Sequence, residues 1–375
     1  MIKPSKFYEA LKGNGVDFFI GVPDSILKDF CAYVDDNSNN HVIAANEGNA
    51  VAIAAGYYLA TRRPALVYMQ NSGQGNAINP LVSLADPDVY SIPMVLLIGW
   101  RGEPGVKDEP QHVKQGRVTL SLLETLGIPY ELLPKNQDEA ESVLERAVDV
   151  SLEKEIPYAL VVGKGTFEEY ISKRKIENSY GLTREEAIDG IIGSLGEKDI
   201  IISTTGMPSR ELFELRAAKH QSHDKDFLTV GSMGHASSIA LGVAMNTKKD
   251  VYCLDGDGAA EMHMGAMAVI GNSHLGNFKH IILNNGCHDS VGGQSTQGFN
   301  INFPEIARAC GYKLALRSDG DTKDLIHKLG IIRGEKSGPS LLEIRVKRGS
   351  RRDLGRPTTT PLQNRDEFMG NLKNE

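Results

Sequence analysis

The sequence predicts two α/β domains in tandem, each built on a mainly parallel sheet flanked by helices. The 375-residue chain is longer than one hydrophobic core usually serves, since single cores stop growing near about 250–300 residues. Short runs rich in Val, Ile and Leu alternate with helical patterns along its length, the form of a parallel sheet covered on both faces. The alternation lapses once, in a charged stretch around Lys164–Gly181, and then resumes.

In the first half the strand candidates are Phe18–Val22, His41–Ala44, Ala65–Met69, Met94–Ile98 and Tyr158–Val162. The clearest helix between them is Glu47–Thr61, whose Ala and Gly content lets it lie close to another backbone. Phe167–Glu177 lacks an apolar stripe, so residues 167–181 read as a linker between a first domain, residues 1–166, and a second, residues 182–346. Thr183-Arg184-Glu185-Glu186 then carries the Thr-x-x-Glu spacing of a capping box before an apolar run. Strands follow at Ile200–Ser203, Phe227–Val230, Val251–Asp255, His280–Asn284, Tyr312–Leu316 and Ser340–Ile344. Ser209–Lys219 reads as a helix, and Ala259–Asn272 as one of about four turns. Residues 347–375, with Lys347, Arg348, Arg351, Arg352 and Arg356 beside Pro357 and Pro361, read as an extended basic arm.

Lys and Arg number 41 against 48 Asp and Glu, a net charge of −7, which argues against gripping nucleic acid or an anionic membrane by charge. An acidic substrate would therefore need a local basic site. No apolar run approaches the roughly 20 residues that span a bilayer. Met1-Ile2-Lys3-Pro4-Ser5 leads into an amphipathic segment and not a secretory core, so a cytoplasmic protein is expected. Cys31, Cys253, Cys287 and Cys310 form neither a Cys-x-x-Cys pair nor a zinc spacing, and read as unpaired thiols.

The strongest chemical signal is Gly256-Asp257-Gly258, followed by Asn284-Asn285 with residues 259–283 between them. Gly-Asp-Gly alone is ordinary turn chemistry. Here it closes a strand, precedes a helix and is followed by a second strand, one βαβ unit with a right-handed crossover. Asp257 and Asn285 then sit just past strand ends, and on neighbouring strands about 4.8 Å apart both could reach one ion. A carboxylate, an amide oxygen and a backbone carbonyl near Cys287 suit Mg²⁺. The helix start at Ala259 points free N–H groups the same way, which favours a bound diphosphate.

This block resembles the thiamine diphosphate motif of the thiamin-dependent decarboxylase superfamily. Asn46-Glu47-Gly48-Asn49-Ala50 is similar to the segment holding that superfamily's glutamate, which contacts N1′ of the cofactor's aminopyrimidine. Gly231-Ser232-Met233-Gly234 resembles the turn whose bulky apolar residue wedges the cofactor into its bent shape. Within the superfamily the chain is most similar to the phosphonopyruvate decarboxylase family, with the sulfopyruvate decarboxylases as near relatives. The matching stretches are Gly21–Ser25, Gln70–Asn76, Gly99–Gly102, Asn285–Gln294 and Leu354–Pro357. Both groups lack the middle domain of larger decarboxylases, in keeping with this length. One departure is Ala259, where many members carry a hydroxyl, so any phosphate contact there must come from the backbone N–H.

The resemblance implies two thiamin-diphosphate-binding-fold domains, the first binding the pyrimidine and the second the diphosphate. It implies a Mg²⁺- and thiamine diphosphate-dependent carboxy-lyase that converts 3-phosphonopyruvate to phosphonoacetaldehyde and CO₂, in biosynthesis of phosphonates of the 2-aminoethylphosphonate type. Decarboxylation of sulfopyruvate is the alternative enzyme; carboligation is a lesser one. A two-domain binding subunit without turnover is the non-enzymatic alternative, and it would not need Glu47.

Glu47, His112 and His288 are the implied proton carriers. Thr204, Thr205, Gly206, Ser232 and Met233 would face the cofactor with Glu47, as would Gly256, Asp257, Gly258, Ala259 and Asn285. Asp257, Asn285 and Cys287 would hold the metal. Ser25, Asn71, Gln74, Arg101, Asp289 and Arg356 would face the substrate. Met233 also reads as core filler, Thr204–Met207 as a plain helix-capping loop, and each arginine as a solvated charge. In the superfamily each site lies between two subunits, which implies at least a homodimer with Glu47 and Asp257 of one site on different chains.

Overall fold

In the computed structural model, which describes residues 1–174 and 180–373, the chain divides into two units: Met1–Lys175 with Val291–Gln294, and Ile176–Ser290 with Ser295–Glu375. The first unit contains β1 (Phe19–Gly21), β2 (His41–Ile43), β3 (Leu66–Gln70), β4 (Met94–Gly99), β5 (Tyr130–Leu132) and β6 (Pro157–Val162). They form a six-stranded parallel sheet in the order β2-β1-β3-β4-β6-β5.

The second unit contains β7 (Ile200–Ser203), β8 (Asp226–Leu228), β9 (Val251–Gly256), β10 (Phe278–Asn284), β11 (Leu314–Ser318) and β12 (Ser340–Arg345). Its parallel sheet runs β11-β12-β10-β9-β7-β8. From its β8 end this is the order of the first sheet: second strand, first, third, fourth, sixth, fifth.

Strands covered on both faces read as unbroken apolar runs, and β4, β6 and β10 are buried at every position. Successive residues then feed opposite cores. Val95 and Leu97 join Phe7, Phe19 and Phe30 on one face, while Leu96 and Ile98 join Val51, Ala54 and Val161 on the other. In the second unit Leu254, Ile281 and Leu342 face one core, and Val251, Ile282 and Leu341 the other.

Several expectations need correction. β5 has no counterpart among the expected strands: it is a three-residue edge strand with no buried residue, so it leaves no apolar run. β11 starts at Leu314 and not Tyr312, because the Tyr312 N–H closes the preceding helix on Ala307 O at 3.0 Å. β8 ends at Leu228, before the turn that reaches positive φ at Ser232. Ala259–Asn272 is two short helices, Asp257–Met262 and Ala266–Asn272, interrupted at His263–Gly265. Glycine is a poor helix residue, and Gly265 lies in that break. The helix following the Asp257 motif is therefore only about a turn and a half long, and its dipole lends a diphosphate correspondingly less support.

The stretch read as a linker begins in contact with the first unit. Phe167 is buried, stacking on Phe30 and meeting Phe7 edge-on, and Asp36 accepts from Tyr170 Oη, Ser172 Oγ and the Lys173 N–H. Its residues 175–179 lie outside the described residues.

The basic arm is extended only in part. Pro361–Lys373 is a helix whose Phe368 is buried in a core of the second unit. Its start is a Thr-x-x-Gln capping box that passed unread: Thr360 N–H and Oγ donate to Gln363 Oε1 at 2.8 and 2.9 Å, and Gln363 N–H returns to Thr360 Oγ at 3.2 Å. The arm's last two residues, 374–375, lie outside the described residues. Among the described residues no helix is long and apolar enough to cross a membrane.

Candidate active site

In the second unit β9 and β10 are neighbours with Gly256 opposite Leu283, so Asp257 and Asn285 leave adjacent strand ends. Asp257 is 2% exposed and Asn285 3%. Burial pushes the Asp257 carboxyl up to about 6, although Thr296 and the N–H groups of Asp257, Asn285 and Gly258 favour the anion. The Thr296 hydroxyl donates to Asp257 Oδ2. Asn285 Oδ1 accepts from the Cys287 N–H at 3.1 Å, and its Nδ2 donates to Asp289 Oδ2 at 2.7 Å. The Cys287 thiol is turned to Asp289 Oδ1 at 2.9 Å, which leaves that residue's carbonyl as its oxygen donor.

Around this pair the backbone is tightly drawn. A Cβ on Gly258 would lie 2.7 Å from the His288 ring, so the imidazole rests directly on the Gly-Asp-Gly turn. Burial lowers the His288 pKa to about 4, leaving it neutral at pH 7. Gly234, at φ +83°, packs its Cα against Ala259, Met262 and His263, which brings the half-buried Met233 and exposed Ser232 beside the short Asp257 helix. Gly206, at φ 95° and ψ −140°, is in a region that only glycine adopts readily, and it opens the helix Met207–Ala218. Next to it the Thr204 hydroxyl is buried without a partner among the described residues, whereas Thr205 is half-exposed. Oxygen donors at two strand ends and an unsatisfied buried hydroxyl nearby fit a hard dication carrying an anionic ligand.

In the first unit Asn46 caps the helix Glu47–Thr61, its Oδ1 accepting from the Asn49 N–H at 2.9 Å. Glu47 at the first helical position is 5% exposed, and burial raises its pKa. Asn76 Nδ2 donates to Glu47 Oε2 at 2.7 Å, and Gly73 packs so closely that a Cβ there would collide with the carboxyl. A buried acid held by neutral donors, with no ion pair among the described residues, keeps its proton more readily than a solvated carboxyl does, which suits it to proton exchange with a ligand.

A second polar cluster in this unit joins the ends of β3 and β4. Arg101 donates through Nε and Nη2 to Asp108, and through Nη1 to Ser25 Oγ at 2.7 Å, so three of its five N–H groups are engaged. Asn71 is fully buried and spent on structure: Nδ2 donates to Arg101 O and Thr119 Oγ, both at 2.8 Å, and Oδ1 accepts from the Arg101 N–H at 3.1 Å. Gln74, by contrast, is buried with both amide atoms lacking a partner among the described residues. His112 is half-buried in the first turn of the helix Pro110–Thr125, which Pro110 opens. Burial and then Arg101 lower its pKa to about 4.

The Asp289 carboxylate accepts from Arg184 Nη1 at 2.7 Å, Asn285 Nδ2, the Cys287 thiol and the Gly349 N–H, partners that tie it to the protein. Arg356 is exposed, and Arg351 is paired with Glu185, Glu214 and Asp353. Asn76, Thr296, Asp108 and Arg184 escaped the sequence reading. Of these only Asn76 had a signal, its place at the end of the matched stretch Gln70–Asn76.

Two family models match the chain: Thiamine pyrophosphate enzyme, N-terminal TPP binding domain, over residues 5–122, and Thiamine pyrophosphate enzyme, C-terminal TPP binding domain, over residues 205–344. A phosphonopyruvate decarboxylase of Streptomyces viridochromogenes is 34% identical, spanning 97% of this chain and 93% of its own. One from Streptomyces hygroscopicus is 35% identical over 96% and 92%. A sulfopyruvate decarboxylase of Methanosarcina acetivorans is 30% identical over 82% of each chain.

Proposed function

The chain belongs to the thiamine pyrophosphate enzyme family, and we propose that it is a Mg²⁺- and thiamine diphosphate-dependent carboxy-lyase acting on 3-phosphonopyruvate to give phosphonoacetaldehyde and CO₂, a step of phosphonate biosynthesis. The observation that favours an enzyme over a binding subunit is Glu47, a buried carboxyl that binding alone does not require. The choice of substrate rests on the nearly full-length similarity to phosphonopyruvate decarboxylases.

Bound thiamine diphosphate supplies the electron sink that an acyl carbon lacks when CO₂ departs. Glu47 Oε1 or Oε2 would hold the proton shared with the cofactor's pyrimidine nitrogen, with Asn76 and Gly73 fixing the carboxyl. Asp257, the Asn285 amide oxygen and the Cys287 carbonyl would hold Mg²⁺ and through it the diphosphate. The hydroxyl of Thr204 and the N–H groups of Thr205, Gly206, Gly258 and Ala259 would complete the anion's contacts, and Ser232 and Met233 would border the ring system. Gln74 and Ser25 would meet the substrate, with Arg101 behind Ser25 and Arg356 as a further cation. Neutral His112 and His288 would carry protons to and from the product.

The homo-oligomer is proposed as at least a dimer, with Glu47 and Asp257 of one site on different subunits, by similarity to the superfamily. Cys31, Cys253, Cys287 and Cys310 are unpaired, which suits the reducing cytoplasm. The deciding experiment is product analysis from phosphonopyruvate with and without added thiamine diphosphate. Aldehyde and CO₂ should appear only with the cofactor; turnover of sulfopyruvate in clear preference would replace the substrate assignment.

A further inference from the structure

An asparagine that ligates a cation has an orientation problem that a carboxylate does not. Rotating its amide by 180° exchanges an acceptor for a donor at nearly the same place, so something must hold the oxygen on the correct side. Asn285 has such a constraint. Its Nδ2 donates to Asp289 Oδ2 at 2.7 Å, and its Oδ1 accepts from the Cys287 N–H at 3.1 Å. The flipped amide would set oxygen against a carboxylate and NH₂ against N–H.

Asp289 is itself held from several directions. Arg184, 4% exposed, donates to it through Nη1 at 2.7 Å and through Nε and Nη2 to Glu211 at 2.7 and 2.9 Å. The Gly349 N–H reaches both carboxylate oxygens at 3.3 and 3.2 Å, and Arg348 Nη2 donates to Gly286 O at 2.7 Å. The segment just after β12 is thus strapped across the loop that carries Asn285. Arg184 is shared between the Glu211 and Asp289 carboxylates, so Asp289 is fixed in a buried ion-pair network whose three side chains sum to one negative charge when both acids are ionised.

We propose that Asp289 is a positioning residue that fixes the Asn285 amide with its oxygen available to the cation held at Asp257. The proposal deepens the cofactor reading above and rests on it. Outer partners of metal ligands commonly change metal affinity by about 10–100-fold when removed, and an effect of that size is expected here.

The test is calorimetric titration of thiamine diphosphate into the full-length protein over a range of Mg²⁺ concentrations. Asp289→Ala should raise the Mg²⁺ concentration for half-maximal binding by about 10–100-fold. Asp289→Asn keeps a carbonyl to accept from Nδ2 and should stay within about threefold of the parent. In an Asn285→Asp background the ligand has two equivalent oxygens, so adding Asp289→Ala should shift the half-point by less than about threefold. Equal losses in both backgrounds, or no loss in the first, would overturn the proposal. Should Asp289→Ala fail to fold, a tenfold loss in Asp289→Asn overturns it as well. A parent protein that binds thiamine diphosphate without regard to Mg²⁺ would instead sink the metal reading, a separate failure visible before any variant is made.

Discussion

Arg101 Nη1 donates to the Ser25 hydroxyl oxygen at 2.7 Å while Nε and Nη2 of the same side chain grip Asp108. Because the oxygen accepts from Arg101, the hydroxyl proton of Ser25 is left to donate elsewhere. Lysine cannot make the bidentate grip and the third bond together. Arg101→Lys is therefore expected to lower kcat about 10–100-fold, the scale of a displaced positioning group. Acting through Ser25, the change should slow phosphonopyruvate and sulfopyruvate alike; a shift in their ratio of kcat/KM would mean that Arg101 reads the anionic head group directly.

Glu47→Gln should cut turnover by about 10²–10⁴-fold, the usual worth of a positioned acid or base, while Mg²⁺-dependent cofactor binding persists. Normal decarboxylation by this variant would refute the role given to Glu47.

The same substitution has a pH signature in stability. Burial raises the carboxyl's pKa in the folded state, so native protein resists ionisation that the unfolded chain accepts freely. Below the unfolded value of 4.5 both states are protonated and nothing is lost; the cost grows as pH rises and levels off above the folded value. In thermal melts of cofactor-free protein, Glu47→Gln should therefore match the parent near pH 4 and melt higher at pH 8. The opposite trend would show that the carboxylate is stabilised by its surroundings.

Asp257→Ala removes the only carboxylate proposed to bind the cation. Thiamine diphosphate affinity should fall by at least about 100-fold and its response to Mg²⁺ should disappear, as expected when a first ligand and not a supporting group is lost. Binding unchanged by the substitution would remove the metal assignment.

The C-terminal helix should be integral to the second unit. Asn364 covers the open edge of β8, with Oδ1 accepting from the Leu228 N–H at 3.0 Å and Nδ2 donating to Asp226 O at 2.7 Å. Phe368→Ala should cost about 3–5 kcal/mol of stability and Asn364→Ala about 1–3 kcal/mol, measured by denaturant unfolding. Near-zero values would mean that the helix is loosely held.

The fold could be read from the sequence because parallel strands buried on both faces print themselves as apolar runs; β4 and β7 are the clearest cases. β5 left no such trace, being short and half-exposed. The strand-end position of Asp257 and Asn285 was readable because glycine turns mark where strands stop. Which groups would hold each side chain was not. Asp257 meets Thr296 and Asp289 meets Arg184 across long sequence separations, and no periodicity encodes such pairings. Proline and arginine also masked the final helix, although the Thr360–Gln363 cap marked its start.

The shared strand order has a consequence for how such a chain could be encoded. Each half closes its own pair of cores, and none of the four draws a buried residue from both halves. Two polypeptides made from separate reading frames, divided within residues 175–179, should each melt cooperatively; a half that stays denatured alone would deny that autonomy. Should both melt so, with Val291–Gln294 the only part of the second half assigned to the first unit, the join between the halves would serve chiefly to keep two pieces at equal dosage.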